Sequence, residues 1–206
     1  DWGIGVLSAS GLLDLAFDQD GLKSVSYPGT NEYPSGLAID DSNNIVVAGN
    51  INSSCPCTVR LSRFYPDGSP DNSFNVDFAG YIYPGIATDS LGRYIVSAAQ
   101  DGNLTQRAVW RRLPSGAADT TFSGDGMMTD TVSGSFWVRP LTQSDDRILL
   151  VTSENSPTFH ISRYTATGEL DLSYGTSGRA TITVGSSPGD ALQYSMIDSQ
   201  DRVLLL

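Results

Sequence analysis

One pattern governs what this chain can fold into. Gly-x-x-Asp-x-x-aromatic occurs four times, as Gly11-x-x-Asp14-x-x-Phe17, Gly68-x-x-Asp71-x-x-Phe74, Gly116-x-x-Asp119-x-x-Phe122 and Gly168-x-x-Asp171-x-x-Tyr174. The aspartates are about 57, 48 and 52 residues apart. A period near 50 residues indicates stacked supersecondary units, none of which can bury its own apolar face alone. Gly followed by Asp marks a turn, because glycine accepts positive φ and a short carboxylate accepts nearby backbone N–H groups. The turns alternate with extended runs. Each unit carries a Gly-Leu-Ala-Ile-Asp-type run (36–40, 85–89, 138–143, 193–198), then a β-branched run (45–47, 94–96, 148–150, 203–205). A third run follows, containing Arg63, Arg111 or Arg163, and a polar fourth run comes after the aromatic. No segment sustains an apolar period of 3.6, so the unit reads as four short strands.

A four-stranded unit of this length, repeated, is the pattern of a β-propeller blade. The Gly-x-x-Asp-x-x-Phe turn, joined to an Asp-Ser-x-Gly-Arg-Ile-type hairpin, resembles the delta-60 repeat. Pro34-Ser35-Gly36-Leu37-Ala38-Ile39-Asp40 resembles the NHL repeat. The resemblance covers nearly the whole chain. It implies an all-β fold, a β-propeller of four four-stranded blades forming a single domain over residues 1–206. It also implies that the Gly-Leu-Ala-Ile-Asp run is the innermost strand of its blade. The first residues align with a third strand and the last with a second strand, so closure by strands from both termini is expected. Closure would pair two strand edges that are otherwise aggregation hazards. A propeller hosts many activities, so function has to be argued from a site.

The net charge is -11, Lys23 is the only lysine, and 39% of residues are hydrophobic. Such a chain repels nucleic-acid backbones and anionic membrane surfaces. Its longest apolar runs are too short to span a bilayer. Composition rich in Ser, Thr, Asn, Asp and Gly points to a secreted or cell-envelope location; it leaves the oligomeric state open.

The recurring aspartates read as turn residues. One carboxylate per blade cannot converge on one ion, so no metal site is expected of them. On that reading, Asp119→Ala costs about 0.5–1.5 kcal/mol, more if a buried group is orphaned. The recurring aromatics read as wedges between blades, and the recurring arginines as partners of an acidic or carbonyl group; Val6 breaks that series. Asp18-Gln19-Asp20-Gly21 and Gly124-Asp125-Gly126 resemble fragments of calcium loops, but the twelfth position from Asp18 is Gly29 rather than a glutamate. Cys55-Pro56-Cys57 admits a small disulfide, two thiols or half a soft-metal site; in an oxidising compartment the Cys55–Cys57 disulfide is the expectation. His160 is the single histidine and supplies no catalytic constellation by itself. No cofactor motif is present, and none is expected to be bound.

The residues with a binding chemistry are those entering the inner strands. Tyr33, Tyr83, Trp137, Arg139 and Tyr194 fall at or beside the start of an inner strand in different units. Inner strands run side by side around a propeller axis, so these positions are expected to gather at one mouth of the channel. Aromatic rings with a few polar groups suit a glycan or an extended segment of a protein surface. The leading expectation is therefore a non-catalytic binding module, such as the tip of an adhesive protein. The alternatives are a calcium-dependent enzyme of the lactonase or hydrolase kind, with Asp40, Asp89 and Asp198 as channel carboxylates, and a purely structural repeat.

Overall fold

The computed structural model describes residues 1–27, 32–52, 57–131, 137–153, 158–184 and 194–206. All regular elements within them are strands. Among the described residues no helix is long and apolar enough to cross a membrane. Three four-stranded antiparallel sheets follow one another. The first contains β3 (Tyr33–Ile39), β4 (Ile45–Asn52), β5 (Thr58–Phe64) and β6 (Pro70–Ala79). The second contains β7 (Tyr81–Thr88), β8 (Tyr94–Gln100), β9 (Asn103–Arg112) and β10 (Met127–Thr131). The third contains β11 (Trp137–Thr142), β12 (Ile148–Ser153), β13 (Thr158–Tyr164) and β14 (Arg179–Thr183). A two-stranded sheet precedes them, β1 (Trp2–Gly5) with β2 (Leu22–Val25), and another follows, β15 (Ser195–Ile197) with β16 (Val203–Leu205).

Strand order within each sheet matches sequence order, as expected from the repeat. β3, β7 and β11 are first in their sheets and pack beside one another. The second strands are the apolar ones for a physical reason. A neighbouring sheet covers each of their faces, so β12 is buried at all six residues and β8 at its first six. A strand covered on both faces reads as a continuous apolar run rather than an alternating one.

The core is correspondingly divided into layers between consecutive sheets. Val46, Ala48, Leu61 and Phe74 of the first full sheet meet Tyr94, Val96 and Trp110 of the second. Ile95, Val109 and Phe122 of the second meet Val138, Ile148 and Leu150 of the third. Leu149, Val151 and Ile161 of the third meet Ile197, Val203 and Leu205 of the last hairpin. Trp2, Ile4 and Phe17 of the first hairpin meet Ile45, Val47 and Phe64. The same strand positions recur in each layer. Among the described residues, β16 pairs with β15 and β1 with β2, but β16 and β1 are not paired with each other.

The recurring turn is a staple. Asp71 accepts hydrogen bonds from the N–H and hydroxyl of Ser73 and from Nε and Nη2 of Arg63, at 2.6–3.0 Å. Asp119 accepts likewise from the N–H and hydroxyl of Thr121 and from Arg111 Nε, and Asp171 from those of Ser173 and from Arg163 Nε, while Nη2 of each of these arginines donates to the Thr121 or Ser173 hydroxyl. Each guanidinium lies over the aromatic ring of its own turn: Phe74 at 4.3 Å, Phe122 at 4.9 Å and Tyr174 at 4.6 Å. Arg63 also donates to the carbonyl of Pro114, and Arg111 to that of Ala166, in the following repeat. The arginine thus takes both an acidic and a carbonyl partner. In the first turn, where Val6 stands in for the arginine, the Asp14 carboxylate accepts, among the described residues, only the N–H of Ala16.

These contacts make a pH prediction. Hydrogen bonds from Ser73, then Arg63, lower the Asp71 carboxyl to about 2. A carboxyl depressed in the folded state stabilises that state above its unfolded value near 4, and this contribution is lost as pH falls from about 4 towards about 2. The urea midpoint of the wild-type protein is expected to fall across that window, and less steeply in Asp71→Asn. Parallel curves for the two proteins would remove Asp71 from the account.

Candidate functional site

The repeated aspartates and arginines are occupied by the fold. So are the carboxylates at the ends of the inner strands. Asp40 accepts from the N–H groups of Ser42 and Asn44, the Asn44 amide and the Tyr94 hydroxyl. Asp89 accepts from the N–H groups of Leu91 and Arg93 and from Arg93 Nε. Asp198 does likewise with Gln200 and Arg202. Each carboxylate therefore closes its own hairpin. Among the described residues, no three His, Cys, Asp or Glu side chains are placed to hold a metal ion together. Nδ1 of His160 lies 3.2 Å from the Thr181 hydroxyl on the neighbouring strand. Cys57 is buried; Cys55, and with it the expected disulfide, lies outside the described residues.

A cavity of about 320 Å³ opens where the inner strands meet. Residues of β3, β7 and β11 line it together with Tyr194 and Ser195 from the last repeat. Small residues make this approach possible. A Cβ on Gly36 would lie 3.0 Å from the Ile86 side chain. One on Gly85 would lie 2.6 Å from Pro140 and 2.7 Å from the Val138 carbonyl, so the strands touch backbone to backbone there. The Ser35 hydroxyl donates to the Pro84 carbonyl across the same seam, at 2.7 Å.

The cavity's polar chemistry comes from the later repeats. The Arg139 guanidinium sits 5.7 Å from the centre of the Tyr194 ring. Tyr194 is 67% exposed and is anchored through its backbone, which exchanges two hydrogen bonds with Leu206. Its ring is thus presented to solvent on a fixed support. The Ser195 hydroxyl is buried in the lining and has no hydrogen-bond partner among the described residues. Among the described residues of the lining Arg139 is the one that carries a charge, in a chain of net charge -11.

Of the expected site residues, the structure brings Arg139 and Tyr194 together. Tyr33 is 61% exposed and lies outside this lining. Tyr83 is half-buried with φ 57°, its N–H donates to Asn50 Oδ1, and it is outside the lining as well. The backbone of Trp137 starts β11; its side chain lies outside the described residues. Ser35 and Ser195 were not read from the sequence. Their signal is positional: each is beside the Gly36/Gly85/Arg139/Tyr194 column, where small residues alternate with functional ones.

The family described as "Domain of unknown function (DUF5122) beta-propeller" matches residues 42–74. That stretch spans β4, β5 and the first Asp-Arg staple. With the successive four-stranded sheets, it identifies the architecture as propeller-type. The chain has no match among the curated proteins.

Proposed function

We propose that this chain is a non-catalytic binding module, a propeller of four blades whose channel mouth recognises a glycan or a protein surface. The last blade in this reading combines β15–β16 with β1–β2. The observation that carries the binding role is the cavity between the inner strands. It is bordered by one column of non-equivalent residues, Gly36, Gly85, Arg139 and Tyr194. Fold maintenance alone favours like residues at like positions, whereas an asymmetric ligand needs different groups from each blade. An exposed aromatic ring under a guanidinium offers a stacking face and charged donors side by side, which suits sugars and extended peptides. The acidic, lysine-poor surface fits a secreted or envelope setting, with the module at the exposed end of a larger adhesive protein.

The test is an array of immobilised oligosaccharides and extracellular proteins, probed in chelator and across a calcium titration. Binding in chelator is the expected result. Stoichiometric, tight calcium uptake with binding only in its presence would replace this reading with a metal-dependent one. Neither binding nor calcium uptake would leave a purely structural repeat.

A further inference from the structure

Two consecutive seams between full sheets are built alike near the wedge aromatics and differ towards the outer strands. In the seam between the first and second full sheets, Val59 pairs with Phe78 across β5 and β6. Phe78 packs on Trp110 of β9 with ring centres 4.2 Å apart, and the Arg112 guanidinium lies 5.0 Å from the Phe78 ring. Val59, Phe78 and Trp110 are all buried. The staple arginines Arg63, Arg111 and Arg163 set the alignment with the next seam. There Arg107 stands where Val59 does, and Asp130 where Phe78 does, paired in the same register. Ser162 precedes Arg163 as Trp110 precedes Arg111, and Tyr164 follows it as Arg112 follows Arg111. An apolar layer is thereby exchanged for a polar one, where fold maintenance alone favours like residues.

The exchange puts a small hydroxyl in the place of an indole, and a cavity of about 440 Å³ opens in this seam between β10, Tyr164 and the start of β14. Met127, Met128 and Leu170 supply its apolar wall, and Asp130, Tyr164 and Arg179 are among its polar groups. It shares no residue with the cavity at the inner strands. Arg179 spans the seam. Its two terminal nitrogens donate to the two oxygens of Asp130 at 2.5–3.0 Å, and Nη1 also donates to the Ser162 hydroxyl. Tyr164 is 4% exposed, and its hydroxyl makes no hydrogen bond among the described residues. Burial, then the nearby Asp130 carboxylate, raises its pKa. A buried hydroxyl left unbonded costs free energy that a bound acceptor recovers.

We propose that this cavity is a second binding site, separate from the channel mouth, and that it takes a neutral sugar residue. The Tyr164 hydroxyl and the Asp130–Arg179 pair bond the sugar's hydroxyl groups, and Met127, Met128 and Leu170 cover its C–H face. The chemistry of the lining sets the class. A sugar hydroxyl both donates and accepts, so one such group can accept from Tyr164 while donating to an Asp130 oxygen. Asp130 and Arg179 neutralise each other, and a charged ligand would have to draw that pair apart and strand one half-buried charge. Arg107, 1% exposed, stands outside the lining. An apolar wall with a few placed polar groups is the usual make-up of a small-molecule site.

The experiment is NMR of the chain with isotope-labelled methionine methyl groups, titrated with glucose, galactose, mannose and N-acetylglucosamine to tens of millimolar. The chain has three methionines. Met127 and Met128 report on this cavity, and Met196, next to Ser195 on β15, reports on the channel mouth. At least one of the four sugars is expected to shift Met127 and Met128 saturably, whether or not Met196 moves. Tyr164→Phe is expected to weaken that binding about tenfold at an unchanged urea midpoint, because the hydroxyl bonds nothing in the free protein. Shifts at Met196 alone put sugar binding at the channel mouth and overturn this site. Silence of Met127 and Met128 with all four sugars overturns it as well and leaves the channel mouth untouched. Shifts there with glycine or glucuronate alone make the cavity a site for charged molecules and overturn the ligand class. Undiminished binding by Tyr164→Phe, or a lower urea midpoint, shows that the hydroxyl does not serve the ligand and overturns the proposal.

Discussion

Asp119→Ala is expected to lower the unfolding free energy by about 3–5 kcal/mol, the usual cost of removing one partner of a buried ion pair. Arg111, 2% exposed, and Asp119, 5% exposed, form that pair at 2.7 Å. Arg93 approaches the same carboxylate at 3.4 Å. Removing the carboxylate leaves a desolvated guanidinium whose remaining partners are neutral oxygens of Thr121 and Ala166. This exceeds the cost assigned to a turn residue alone, because the turn bonds are only part of what is lost. Asp14→Ala is the control. It has no arginine partner and accepts one N–H at 3.1 Å, so its cost is expected to stay near 1 kcal/mol. Equal shifts of the urea midpoint in the two variants would show that the ion pair adds nothing to the turn.

Phe122→Ala is expected to cost about 3–5 kcal/mol, the range for emptying a buried aromatic site. Phe122 is fully buried between the second and third full sheets. It supports the Arg111 guanidinium on one side and the bare face of Gly168 on the other. Both neighbours are held by hydrogen bonds of the staple, so the site cannot collapse to fill the space. Tyr194→Ala, at a ring 67% exposed, is expected to change stability by less than about 1 kcal/mol. Thermal and urea unfolding of the two variants check this. A comparable loss at Tyr194 would make that ring part of the core and remove it from the site.

Much of the fold is legible in the sequence because the repeat is local. A glycine, an aspartate three residues on and an aromatic three further define one turn. The arginine eight residues before three of the four aspartates marks their partner. Four copies also let each strand be placed by alignment, even where its apolar pattern alone is ambiguous. The site is less legible, and bulges are the reason. Projecting Tyr33 and Tyr83 onto the channel assumes that side chains alternate regularly along the inner strands. The register of β3 shifts between Pro34 and Gly36, and that of β7 between Ile82 and Gly85. An extra residue re-aims the side chains before it, and at Tyr83 the backbone adopts φ 57° to accommodate it. β11 pairs without such a shift, and there the alignment places Arg139 in the lining. The size of the Asp119 effect was not legible either, since it depends on the burial of Arg111 by the next repeat.

In the proposed function the channel mouth binds and the staples only fold. The most direct measurement is the affinity, in chelator, of the strongest array ligand for wild-type protein and for the Arg139→Met/Tyr194→Ala double variant, with thermal unfolding of both. The double variant is expected to bind at least tenfold more weakly, a loss of about 1.4 kcal/mol, at an unchanged unfolding temperature. Undiminished affinity in a folded double variant would contradict it and place the binding surface elsewhere on the molecule.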